Sequence, residues 1–173
     1  MITDIHKKEI HLTLDELISF SYPSGSLSKT PDFYEMPKAA LAIAEDIADT
    51  DERFMLSHAF SAVYFHNGYS YIITLAPDLC AIHNRSVTVI NVKASGGKTN
   101  APKSLTDMWQ REICCCAAVC ADALGVNETE AKLIYSFDRR IAPEQLLCAS
   151  DYDDARSILM STIEKASQLI SIH

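Results

Sequence analysis

The apolar residues of this 173-residue chain change their period near residue 60, and that change constrains the fold more than any other feature. Before it, the chain reads as helical. Residues 5–19 are predicted to form a first helix carrying Leu12, Leu14 and Leu17. A loop follows through Tyr22-Pro23-Ser24-Gly25-Ser26 to about Asp32. A second helix is predicted over Glu35–Ala48 and a further one around Glu52–His58. After it, apolar residues alternate or run in short blocks, as strands require. Ala62–Phe65 and Tyr69–Leu75 flank His66-Asn67-Gly68, where Asn-Gly accepts the positive φ angles of a type I′ hairpin turn. Leu79–Ile82 and Ser86–Val92 form a second hairpin, and the apolar run of the latter marks a central strand.

The second half returns to helix. Leu105–Leu124 is predicted as one long helix stopped by Gly125. Ala131–Phe137 is a strand, and Asp151–Ile170 a last helix whose acidic start suits the helix dipole. This order predicts an α/β (α+β) fold, a central mixed sheet flanked by helices. The length fits a single domain over 1–173, with a core of about 35–137 and a C-terminal helix of about 151–171. A chain this long buries roughly 70% of its unfolded surface without disulfides or metals.

Six cysteines do not change that expectation. Cys114, Cys115 and Cys116 are consecutive, with Cys120 one turn on, and adjacent helix residues point apart, so they read as small apolar helix residues. Cys80 and His83 alone make no closed zinc site. The net charge of −8 argues against tight nucleic-acid binding by charge alone. No apolar run reaches the ~20 residues of a membrane span. The first twelve residues lack a signal peptide's apolar core, so an intracellular, reducing compartment (cytoplasm or nucleus) is expected.

The functional expectation rests on Pro77 to Lys93. Asp78 follows Pro77 where two strands diverge, and thirteen residues later comes Asn91-Val92-Lys93. Residues two apart on a strand share a face, so Asn91 and Lys93 are expected to point the same way. Cleaving a phosphodiester needs a divalent metal, an activated water and a stabilised leaving oxygen, and Mg²⁺ and Mn²⁺ prefer carboxylate oxygens. Pro-Asp is also ordinary turn chemistry, and Lys93 also suits a solvated strand end. Lys98, Lys103 and Arg111 offer a phosphate-contacting rim or a solvated loop. Gly96-Gly97-Lys98-Thr99 lacks the earlier glycine of a phosphate-binding loop.

With Pro77-Asp78 as the PD and Asn91-Val92-Lys93 as the (D/E)xK, the chain resembles the PD-(D/E)xK nuclease superfamily, and within it the RecB-like exonucleases, over about residues 35–137. The resemblance implies a restriction-endonuclease-like fold, Mg²⁺ or Mn²⁺ as cofactor, a nucleic-acid substrate and no membrane. Asp78 would hold the metal, with Asn91 at the second acid position. Lys93 would position the water or stabilise the phosphate. Gln110 matches the glutamine that RecB-like members place at the head of the following helix, and Glu45 the family's helix acid. His58 is a poor match to the upstream histidine of viral cap-snatching endonucleases.

Asn91 departs from the pattern: it offers a carbonyl oxygen but no charge. A lost charged ligand costs several kcal/mol, each ~1.4 kcal/mol being tenfold in rate. Three explanations stand. The acid has migrated, to Glu112 on the following helix; the fold is a degenerate one kept to bind a protein or nucleic-acid partner; or an Asp-to-Asn change was introduced by design. The sequence gives no sign of oligomeric state.

Overall fold

The structure, a computed structural model, describes residues 8–21, 53–56, 58–83, 85–94, 103–136, 144–149 and 151–170. The elements are β1 (Lys8–Thr13), α1 (Leu14–Ser21), β2 (Arg53–Leu56), β3 (Phe60–His66), β4 (Tyr69–Leu75), β5 (Leu79–His83), β6 (Ser86–Ala94), α2 (Lys103–Leu124), β7 (Glu128–Ser136), β8 (Glu144–Ala149) and α3 (Tyr152–Ile170). The α/β class expected from the sequence is the class found. Instead of one central sheet, the strands form a three-stranded sheet in the order β1-β4-β3 and a five-stranded one in the order β2-β5-β6-β7-β8.

The chain crosses from one sheet to the other at Ala76-Pro77-Asp78, between β4 and β5. Proline has no N–H for a ladder, so a strand cannot run through Pro77 unbroken. The β3–β4 hairpin turns on Asn67 (φ 48°) and Gly68 (φ 80°), as the type I′ geometry requires. β5 and β6 pair antiparallel, and β6 pairs with β7 in parallel through the α2 crossover. β6 is thus the middle strand of five, and Val87, Val89 and Ile90 are fully buried on its two faces.

α2 explains the cysteines. From Ile113 to Ala121 every side chain is buried, because α2 packs on β3, β6 and β7 and against α1 and α3. A helix covered all round must be apolar all round. Cys114, Cys115, Cys116 and Cys120 are four of those small core residues, and Cys80 meets Cys120 from β5. α2 ends at Gly125 (φ 69°), with Val126 N–H donating to Ala121 O at 3.0 Å and Gly125 N–H to Asp122 O at 3.3 Å. Asp151 caps α3, its Oδ1 accepting from the Asp154 N–H at 2.8 Å.

Two local expectations are corrected, and one strand is added to them. The first helix is not 5–19. Residues 8–13 form β1, and the helix begins only at Leu14. The Thr13–Glu16 capping box sets that start: the Thr13 N–H donates to Glu16 Oε2 at 2.8 Å, and the Glu16 N–H to Thr13 Oγ1 at 3.2 Å. The helix expected around Glu52–His58 is instead β2, paired antiparallel with β5. A strand no sequence pattern announced, β8, closes the larger sheet against β7. The helix expected over Glu35–Ala48 lies outside the described residues.

Candidate functional site

The β5–β6 register pairs Leu79 with Ile90, which sets Asp78 opposite Asn91 at the mouth of the hairpin, where the two sheets part. The thirteen-residue spacing is therefore a cross-strand pairing. The Asp78 backbone N–H donates to Asn91 Oδ1 at 3.2 Å. Asn91 is only 7% exposed, and its other end, Nδ2, donates to Glu112 Oε1 at 3.4 Å. Glu112, also 7% exposed, sits on α2 where the helix crosses β6. The Asn91 amide thus bridges the Asp78 backbone, one residue before β5, and the Glu112 carboxylate on α2. A carboxylate this buried needs partners, and Asn91 Nδ2 is one of them.

The remaining candidates fall differently. Lys93 lies in β6 two positions beyond Asn91, opposite Tyr135 of β7, and its side chain is outside the described part. Gln110 is half-buried on α2, two residues before Glu112, so the two project about 200° apart around the helix. The turn that aims Glu112 at Asn91 aims Gln110 elsewhere. His58 is exposed and packs edge-on to Phe60, with ring centroids 5.1 Å apart. Glu45 lies outside the described residues, as do Lys98 and the Gly96–Thr99 segment.

Arg111 is turned toward α3. Its Nη1 donates to Ser161 Oγ at 3.1 Å and Thr162 Oγ1 at 3.2 Å, tying α2 to α3. Cys80 is fully buried against Cys120, and the His83 side chain lies outside the described part. Burial pushes the Cys115 thiol up to about 12, against the opposing pull of Thr162 and Arg111, so it is no nucleophile. Among the described residues, no three His, Cys, Asp or Glu side chains group as a metal cage. Among the described residues, the contacts here join the Glu112 carboxylate, the Asn91 amide and the Asp78 backbone.

A second polar cluster escaped the sequence reading. Tyr64 Oη donates to Asp122 Oδ2 at 2.7 Å, and Tyr152 Oη donates to Asp122 Oδ1. Arg156 Nη1 reaches Tyr152 Oη at 2.5 Å and stands 3.6 Å from Asp122 Oδ1. Burial first, then the Asp122 carboxylate, push the Tyr64 hydroxyl far above its ordinary range. An open hollow of about 440 Å³, lined by Ser61, Tyr64, Asp122 and Arg156 among others, lies here. The partners are 58 and 30 residues from Asp122 along the chain, so no local pattern could have shown them.

No family model matches this chain, and no curated protein sequence matches it. Among solved structures, the fold is similar to one described as the crystal structure of SSO0001, with a TM-score of 0.59 and 15% identity over 94% of this chain and 78% of that one. At that identity the likeness speaks for the fold alone. No described helix is long and apolar enough to cross a membrane.

Proposed function

We propose that the chain is a metal-dependent nuclease-like protein of the PD-(D/E)xK superfamily, hydrolysing phosphodiester bonds of DNA or RNA, in which Glu112 supplies the acid that Asn91 lacks. The observation that carries this reading is the Asn91 bridge, which joins the Asp78 backbone, one residue before β5, to the Glu112 carboxylate on α2. The donor set suits a hard cation: Asp78 and Glu112 would hold Mg²⁺ or Mn²⁺, with Glu45 as a helper. Such a metal would polarise the phosphate and acidify a water. Asn91 keeps the Glu112 carboxylate in place, and Lys93 is the residue assigned to the water or phosphate.

A second reading has its own support. Both polar ends of the Asn91 amide are used inside the protein, and the chain carries a charge of −8. Those features suit a catalytically inactive nuclease-fold module that binds a protein or nucleic-acid partner.

The deciding experiment is cleavage of labelled single- and double-stranded DNA and RNA with Mn²⁺, comparing the chain with Glu112→Gln, Lys93→Ala and Asn91→Asp. Activity abolished by Glu112→Gln and Lys93→Ala establishes the nuclease with a migrated acid. Activity only in Asn91→Asp establishes an intact site disabled at one residue. Silence from all of them favours the binding module.

A further inference from the structure

We infer that Thr162, on α3, is a positioning residue for the Glu112 carboxylate, an inference that rests on the site reading above. Thr162 is fully buried and its hydroxyl is used to capacity: it donates to Ile158 O at 2.7 Å and accepts from Arg111 Nη1 at 3.2 Å and from the Cys115 thiol at 3.7 Å. Arg111 and Cys115 are four residues apart and share one face of α2. One hydroxyl on α3 therefore grips two successive turns of α2, on either side of Glu112 in sequence, and sets the rotation of the helix about its axis. Glu112 Oε1 meets Asn91 Nδ2 at 3.4 Å, near the outer limit of a hydrogen bond, so a small rotation of α2 separates them. Ser161 Oγ shares the Arg111 guanidinium but is exposed and does not touch Cys115, so it cannot replace the grip.

The test uses the full chain and Mn²⁺ alone as probe, followed by the fluorescence of Trp109, the single tryptophan, three residues before Glu112. Thr162→Val keeps the shape and removes the hydroxyl; Thr162→Ser keeps the hydroxyl. Thr129→Val is the stability control, since Thr129 Oγ1 is buried on β7 and donates to Val87 O at 2.9 Å, outside the grip on α2. The expected result is an apparent Mn²⁺ affinity about tenfold weaker in Thr162→Val, as for supporting residues of metal sites. Thr162→Ser and Thr129→Val should bind as the parent does. Equal affinity of Thr162→Val and the parent overturns this inference alone, and so does an equal loss in Thr129→Val. A parent that binds no Mn²⁺, matching its Asp78→Ala variant, overturns the site reading and this inference with it.

Discussion

Asn91 Nδ2 donates to Glu112 Oε1 at 3.4 Å, joining the middle strand of the larger sheet to the helix that crosses it, and both residues are buried. At the position where the proposed nuclease reading asks for a second acid, the chain has an amide that uses its oxygen on the Asp78 backbone and its nitrogen on the Glu112 carboxylate.

Asn91→Asp should therefore be costly without metal. It replaces a donor with a charge facing Glu112, and two adjacent carboxylates cannot both ionise cheaply. A metal-free loss of about 2 kcal/mol is expected at neutral pH from the broken hydrogen bond and the repulsion. The pair raises the folded-state pKa of one carboxyl, so the lost stability should return as pH falls through that raised value. Mn²⁺ should restore it at neutral pH by mass action. Thermal melting with and without Mn²⁺, at two pH values, reads both; a variant as stable as its parent at neutral pH without metal would contradict the placement of Glu112.

Asp122→Ala should unfold the chain more readily than Tyr64→Phe. The first strands two phenols, one of them on the buried Tyr64, and costs about 3 kcal/mol; the second removes one hydrogen bond and costs about 1 kcal/mol. Urea denaturation gives both values. Equal effects would mean that Tyr152 and Arg156 contribute nothing through Asp122.

Gly125→Ala tests the end of α2. Nothing lies within 4 Å of an added Cβ, but φ is +69°, so the cost is backbone strain of about 1 kcal/mol rather than a clash. A Gly125→Asn variant, better tolerated in the left-handed region, should recover part of the lost melting temperature.

Cys115 should be inert at neutral pH and a liability in alkali. Its folded pKa is raised to about 12 from 9.0, so the unfolded chain loses the proton first. The thiol's contribution to stability is whole below about pH 9 and is lost as pH rises toward 12. Thiol labelling at pH 8 should leave Cys115 unmodified in the native protein and modify it in urea. A Cys115→Ala variant should show a flatter alkaline decline.

Glu16 works in the opposite direction. The Thr13 N–H, and then the Thr13 hydroxyl, hold its carboxyl below the usual 4.5. Its contribution is present above the unfolded value and lost as pH falls through the lowered one. Glu16→Gln should remove that acid limb from the stability profile by lowering the neutral plateau toward the level the parent reaches in acid.

The sequence by itself determined whatever depends on neighbours along the chain. Asn67-Gly68 specified a hairpin because few residues accept two positive φ angles. Gly125 and Asp151 marked helix ends, and the apolar run of Ser86–Val92 marked the middle strand. Thr13-x-x-Glu16 was there to be read as a capping box and would have placed the start of α1. Tertiary structure decided the rest. A run as short as Arg53–Leu56 carries too little periodicity to tell strand from helix, and pairing with β5 settles it. The division into two sheets at Pro77 follows from which strands find partners. The functional question turned on Asn91, Glu112 and Thr162, 71 residues apart from first to last. Only a sheet register and the rotation of a buried helix bring them together, because hydrogen bonds form between atoms that packing makes neighbours.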